Sequence, residues 1–464
     1  MTSTSPELHD EAVRQLASGF AGELIGPASR GYDEARRLWN RMIDRRPALV
    51  ARCADARDAR RAVAFARDHG LPISVRGGGH NVSGSALVDG GVVIDHVLRR
   101  AVGVDPAART VEVEPGVLLG ELDRATAAHG LAVPVGINTT TGVAGLALGG
   151  GIGWLMRRDG LTCDHLIAAD LLTADGEIVL VDAERDPDLL WALRGGSGNF
   201  GIVTRFVFRA LELAPQVLAG LVLFALDQGE AVLRGYREWA AALPDSVTSI
   251  VTLRTVLPVP AFPAELHGRR VVGVAVCQTD IAGGAALAPI RTFGTVLFDN
   301  VASKPFVTHQ AMFDASVPAG LGYCWKSTFL RGLDDGAIEA LIEQNRIAPQ
   351  PWSYTLIFQL GGAVARVDSG ATAFAERTAP FAVNINGVAE SPAEDTRVTT
   401  WARATLDALA PSSTGGVYVN FLGDEGEDRA RAAYGAAYHR LASLKSRYDP
   451  ANIFRSNQNV RPAR

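Results

Sequence analysis

The sequence predicts an α+β protein built from two unlike parts, and three observations lead there. Its 464 residues exceed the ~100–200 expected of one domain. Up to about residue 214, short apolar runs alternate with stretches of helical periodicity, and Gly or Pro punctuates most of them. From about 216 to 414 the apolar runs lengthen and become β-branched, with helical stretches between them. That pattern predicts one sheet backed by helices.

The elements follow in order. Residues 8 to 45 read as helical, with Leu8, Ala12, Leu16 and Phe20 at helical spacing. "PALVARCA" is strand-like. "DARDARRAVAFARDHG" has an Asp start signal and a Gly stop, which predicts a helix. "PISVRGG", "GVVIDHV" and "TVEVEPG" are short strands, and "LLGELDRATAAHG" is a helix. "LIAADLLTADGEIVLVD" contains Asp175-Gly176, a hairpin turn signal. The second part offers "GLVLFAL", "SIVTLRTVL", "RRVVGVAVCQTD", "GYCWKSTFL" and "PWSYTLIFQL" as strands, with "GEAVLRGYREWAAAL" and "DDGAIEALIEQNR" as helices. A last helix, "GEDRARAAYGAAYHRLASLKSRYDP", precedes "NIFRSNQNVRP".

Composition narrows the function classes. Hydrophobic residues make up 47% and charged residues 20%, as in an ordinary soluble protein. Net charge is −5 and no basic patch is present, which argues against nucleic acid. No apolar run approaches the ~18 residues of a membrane span. The N-terminus lacks a basic segment followed by an apolar one, so no secretory signal is expected. Cys53, Cys163, Cys277 and Cys324 are scattered, with no CxxC. That fits a reducing compartment and excludes a Cys-rich zinc site. The expected location is the cytoplasm. His165, His309 and His439 show no metal-ligand spacing, and no metal is expected.

Glycine concentrates in three places: Gly77–Gly79 in "VRGGGHNVSG", "TTTGVAGLALGGGIGWL" at 139–155, and "RGGSGNFGIVT" at 194–204. Such clusters either cradle a phosphate or simply turn the chain. Gly196, Gly198 and Gly201 formally match GxGxxG. The nucleotide fingerprint needs a strand before it and a helix after it. Here a helical "PDLLWALR" precedes and a strand-like "IVTRFVF" follows, so a Rossmann site is not supported. GxxxxGK[ST] is absent. Asn81-Val82-Ser83 and Asn138-Thr139-Thr140 match the glycosylation sequon, by chance where no secretory signal precedes them.

Taken together, "VRGGGHNVSG", "TGVAGLALGGGIGWLMRRDGLTCDHL", "GGSGNFGIVT" and the terminal "YDPANIFRSNQNVRP" resemble one family. The chain is similar to bacterial berberine bridge enzyme-like FAD-linked oxidases, of the vanillyl-alcohol oxidase or PCMH-type FAD superfamily. The resemblance runs from about 40 to 462 and is weakest between about 216 and 410. It implies an FAD-binding domain over 1–214, with a PCMH-type core of two α/β subdomains at about 46–214. It implies a substrate domain at 215–414, and a C-terminal segment at 415–464 that returns to the first domain.

The resemblance also implies site residues. His80 would carry the flavin through its 8α-methyl group. No thiol stands near Asn138, where some members have a second, cysteinyl link, so FAD would be bound covalently through His80 only. Arg76, Gly77, Gly78, Gly79 and Asn81 would cradle FAD with Thr141, Gly142, Gly145, Gly149, Gly150, Gly151 and Gly153. Gly201, Ile202 and Asn459 would complete that set. The family carboxylate position falls at Asn384 and Asn386, neutral amides that orient but cannot act as a base. Tyr418 and Asn420 in "GVYVNFLGD" match a family catalytic stretch, with Lys326 or an arginine as the partner a basic tyrosine would need. Thr139, Thr140 and Thr141 would run beside the reactive flavin edge, Thr139 with a catalytic role. Tyr323, Trp325 and Gln359 join Asn384 as expected pocket residues. The implied activity is oxidation of an alcohol, amine or activated C–H of a small molecule, in secondary-metabolite tailoring, with O2 reduced to H2O2. A carbohydrate oxidase and a flavoprotein that only binds ligand are the alternatives.

Overall fold

A computed structural model describes residues 10–349 and 351–463. Three main sheets organise the α+β fold. The first has four strands in the order Glu23–Ile25, Leu49–Arg52, Val92–Asp95, Ile73–Arg76. Leu49–Arg52 and Ile73–Arg76 both run parallel to Val92–Asp95. The helix Ala56–Asp68 makes the crossover. Asp55 caps it by accepting from the backbone N–H of Arg57 and Asp58, and its Ala59, Ala62, Val63 and Ala66 face is buried.

The second sheet is antiparallel, ordered Val102–Asp105, Thr110–Val113, Ile202–Arg209, Leu166–Leu172, Ile178–Asp182. Its hairpin turns at Asp175-Gly176, where Gly176 takes φ +92.

The third sheet has eight antiparallel strands, all from residues 216–389. Successive neighbours running to one edge are Arg270–Gln278, Val247–Thr255, Tyr354–Gln359, Phe381–Ala389 and, at the edge, Gly322–Leu330. Side chains alternate across it. Val251, Leu253, Ile357, Val383 and Ile385 form one core with the helices Gly229–Ala241, Asp335–Arg346 and Asp395–Ala408. Ile250, Tyr354, Leu356, Phe358 and Ala382 face the other way, into the core shared with the first part of the chain.

Two helical expectations need correction. The helix near the N-terminus covers only Asp10–Ala17, followed by a strand at Glu23–Ile25 and one turn at Tyr32–Ala35. Gly19, Gly22, Gly26 and Pro27 break the pattern, and Leu8 lies outside the described residues. The last helix is two helices, Glu427–Tyr434 and Tyr438–Tyr448. It breaks at Gly435, which takes φ +47. Among the described residues no helix is long and apolar enough to cross a membrane, and no group of His, Cys, Asp and Glu is placed to hold a metal ion.

Candidate active site

A cleft with about 1880 Å³ of empty space, partly open to solvent, separates the carboxyl ends of the parallel strands from the eight-stranded sheet. Ligands of α/β sheets bind outside the carboxyl ends of parallel strands. Here the loop Gly77–Asn81 leaves one such strand and His96 follows another, and both line the cleft. The opposite wall is Trp325, Tyr354, Leu356, Phe358 and Asn384. None of the lining residues is Asp, Glu, Lys or Arg. In the lining itself a bound group's charge would therefore meet backbone N–H groups and neutral side chains, with Arg254 set beside the lining residue Tyr354.

The glycine loop has its shape for steric reasons. A Cβ on Gly78 would lie 2.5 Å from the Gly142 nitrogen and 2.6 Å from its Cα, so two backbones touch there. Gly79 takes φ +66, where a side chain strains. Among the described residues, the N–H groups of Gly77 to Asn81 donate no hydrogen bond within the chain. A run of free N–H groups in a turn forms an anion cradle.

His80 follows that loop. Its ring stacks on Trp39 at 4.1 Å, and Trp39 stacks on Tyr323 at 3.7 Å. Its Nε2 is buried without a hydrogen-bond partner. Burial pushes its pKa down to about 4, so the ring is neutral at pH 7 with a free lone pair. Also in the lining, the buried Tyr418 hydroxyl oxygen accepts from the Gly151 backbone N–H at 2.7 Å and from Asn420 Nδ2 at 2.8 Å. Asn420 Nδ2 also donates to the Leu146 carbonyl at 3.0 Å. Burial raises the Tyr418 pKa above its ordinary value, and these two donors oppose the rise.

The chain matches the FAD binding domain model over residues 47–182 and the berberine and berberine-like model over 417–461. It is 31% identical to an uncharacterised FAD-linked oxidoreductase of Bacillus subtilis (strain 168), covering 96% of this chain and 98% of that one. The chain belongs to the berberine-bridge-like FAD-linked oxidoreductases. It is also 30% identical to (R)-6-hydroxynicotine oxidase of Paenarthrobacter nicotinovorans, over 95% of this chain and 97% of that one. The crystal structure of 6-hydroxy-D-nicotine oxidase from Arthrobacter nicotinovorans superposes with a TM-score of 0.85 at 28% identity, covering 96% of this chain and 99% of that one.

The cleft of this FAD-linked oxidoreductase fits the cofactor. The free N–H run at 77–81 suits a pyrophosphate, and no acidic side chain opposes it. The unpartnered Nε2 of His80, the unpartnered imidazole of His96 and the buried free Oδ1 of Asn457 offer polar contacts to a long ligand.

The expected cofactor residues divide by placement. His80, Gly77, Gly78, Gly79, Asn81, Thr141, Gly142, Gly145, Gly201, Ile202, Tyr418 and Asn420 line the cleft. Arg76 does not, because its guanidinium pairs with buried Asp95 and donates to the Ala35 carbonyl. Gly149, Gly150, Gly151 and Gly153 also lie off the lining. They are small because Asn420, Phe374, Thr162 and the Val135 carbonyl respectively press on them. Asn459 sits outside the lining, with a buried, unpartnered Oδ1.

The catalytic and pocket expectations divide likewise. Trp325 and Asn384 line the cleft. Gln359 does not. The period of two sends it to the helix face, where its Oε1 accepts from Ser249 at 2.6 Å and its Nε2 donates to the Ala240 carbonyl at 2.5 Å. Tyr323 lies behind Trp39 and donates to the Pro318 carbonyl. Asn386 is fully buried beside the lining, donating to the Asn384 carbonyl. Thr139 is held away by Asp314, which accepts from both its hydroxyl and its N–H. Lys326 does not reach Tyr418, because it pairs with Glu425 at 3.0 Å. Cys163 is a buried filler whose pKa burial drives well up.

His96 escaped the sequence reasoning. It is 1% exposed, neither ring nitrogen has a partner, and burial pushes its pKa down to about 3. Its position one residue past a parallel strand is the signal that marks it.

Proposed function

We propose that the chain is an FAD-dependent oxidase of a small organic molecule, tethered to its cofactor through His80 alone. The observation that carries this is the His80 ring: half-buried, neutral, with a buried Nε2 that lacks a partner, stacked on Trp39, and placed where the free N–H run enters the cleft. A neutral imidazole is the nucleophilic form. No cysteine lines the cleft, so no second tether is available.

Bound FAD supplies a ring that accepts a hydride and passes the electrons to dioxygen as hydrogen peroxide. The chain's residues do the rest. Trp325, Leu356 and Phe358 exclude water and press the substrate toward the cofactor side of the cleft. Asn384 orients a substrate oxygen or nitrogen. Tyr418 takes the substrate proton as the phenolate, a form that burial disfavours and its two donors favour. Thr141 lines the cleft with a small side chain that leaves dioxygen room to enter.

The test is acid precipitation. The purified protein is expected to stay yellow in the pellet, with a mass raised by one FAD, and His80→Ala to release its flavin. A wild type that released all its flavin in acid would refute the tether. Dithionite reduction followed by air tests the oxidase: fast reoxidation with peroxide is expected, and sluggish reoxidation would make the protein a dehydrogenase or a binding protein.

A further inference from the structure

Four adjacent strands build the substrate wall, and their register sets side chains in rows. Arg254 stands opposite Tyr354, Tyr354 opposite Asn386, and Asn386 opposite Trp325. In the next row Thr252 faces Leu356, Leu356 faces Asn384, and Asn384 faces Ser327. All these residues point to the cleft side of the sheet. Their polar atoms share an oddity. Arg254 Nη2, Asn386 Oδ1, Trp325 Nε1, Thr252 Oγ1, Asn384 Oδ1 and Ser327 Oγ are each buried and each lack a hydrogen-bond partner. Buried polar atoms are nearly always paired. Trp325 and Asn384 line the cleft with Tyr354 and Leu356, and the other four stand in the same two rows beside that lining, so among the described residues the orphans cluster where a ligand would sit.

Arg254 gives that ligand its sign. Its Nε reaches only the Thr255 carbonyl, at 3.4 Å. Among the described residues no carboxylate pairs with it, and its ionisable neighbours are Tyr354 and Tyr323. Its guanidinium carbon sits 5.1 Å from the centre of the Tyr354 ring, which lines the cleft. The side chain keeps partial water access, as it must to meet a ligand. Its buried Nη2 lacks a partner, and an arginine fork suits a planar carboxylate.

We infer that this wall recognises a substrate carrying a carboxylate at Arg254 and, at Asn384 and Asn386, the hydroxyl or amine whose carbon is oxidised. The inference rests on the oxidase assignment and names its substrate class. Arg254 and Asn386 stand two strand spacings apart, roughly 10 Å between backbones. A rigid body about one aromatic ring long spans that interval once the side chains lean inward. Leu356, Phe358 and Trp325 supply the apolar surface for such a ring. A phosphate dianion fits less well, because the wall offers one cation and no second.

The test titrates the protein as purified with 4-(hydroxymethyl)benzoate, 4-(hydroxymethyl)benzamide and phenyl phosphate, read by calorimetry. The acid is expected to bind at least tenfold tighter than the amide. Arg254→Met and Arg254→Gln should erase that preference and leave the amide affinity within twofold, with melting curves checking that each variant folds. Equal affinities for acid and amide, no detectable acid binding, or a preference that survives both substitutions would overturn the inference. Tighter binding of phenyl phosphate would overturn the choice of carboxylate. Acid precipitation of the same samples keeps the two proposals apart. A colourless pellet refutes the tether whatever the heats show, and a yellow pellet without acid preference refutes only the carboxylate site.

Discussion

Asp123 allows a stability prediction with an unusual sign. It sits on the helix Leu119–Ala127, 3% exposed, with Oδ2 unpartnered. Gln310 lies beside it, and Gln310 Nε2 donates at 2.8 Å to the carbonyl of Gly136, which lines the cleft. Burial pushes the Asp123 pKa up from 3.8 to about 8; Asp314 adds to the rise, and Gln310 and Arg124 oppose it. At pH 7 the folded protein holds this carboxyl protonated, while the unfolded chain ionises it above about pH 4. The native state therefore binds one more proton across that window, and stability falls as pH rises through it. At ~1.4 kcal/mol per pH unit, the loss from pH 4 to pH 8 is about 5–6 kcal/mol. Asp123→Asn keeps the shape, removes the ionisation, and lets an amide donate to the otherwise unpartnered Gln310 Oε1. Wild type and variant should melt close together at pH 4.5. At pH 8 the variant should be the more stable by several kcal/mol, read at one scan rate in matched buffers. A variant no more stable than wild type at pH 8 would show that the carboxylate is accommodated, and the argument from burial would fail.

Two further outcomes follow from the cleft. Gly142→Ala drives a methyl group into the Gly78 backbone, an overpacking of about 1–3 kcal/mol. The purified protein should carry less than half the wild-type flavin, and full retention at an unchanged melting temperature would remove the cradle from that contact. Tyr418→Phe leaves the Gly151 N–H without its acceptor and takes one of two acceptors from Asn420 Nδ2, which keeps the Leu146 carbonyl, costing about 1–3 kcal/mol of stability. It should lower kcat by ~10²–10⁴ and abolish the rise in kcat toward alkaline pH expected of a base that must ionise; a variant keeping that rise would exclude Tyr418 as the proton acceptor.

The cofactor side of the cleft is legible in the sequence because backbone builds it. Where two chains touch at Gly78 and Gly142, or φ turns positive at Gly79, only glycine serves. The requirement is therefore written as a residue type at a fixed spacing, and His80 is found by its place at the end of such a run. Strands and helices with strong periodicity are legible for the same local reason. Apolar spacing predicts too long an N-terminal helix because the period continues past Gly19, Gly22 and Gly26, where the helix breaks. The Gly22 backbone packs against the Arg52 carbonyl, a contact between segments 30 residues apart in the sequence.

The wall opposite the glycine loop is built by side chains whose placement is settled by distant partners. The alternation of "SYTLIFQL" separates two faces, but nothing within the strand says which one looks at the cleft; Ser249 and Ala240, over 100 residues earlier, claim Gln359 for the helix face. Asp314 likewise takes the Thr139 hydroxyl from 175 residues away. Arg254 is the sharpest case. In "SIVTLRTVL" it reads as the solvated residue of an alternating strand. Its neighbours, Tyr354 and Tyr323, come from two other strands, and its lack of a carboxylate partner emerges only when all the strands are placed. A site made of backbone leaves its trace in residue type and spacing. A site made of unsatisfied side chains is defined by which partners fail to arrive, and local sequence carries no record of that.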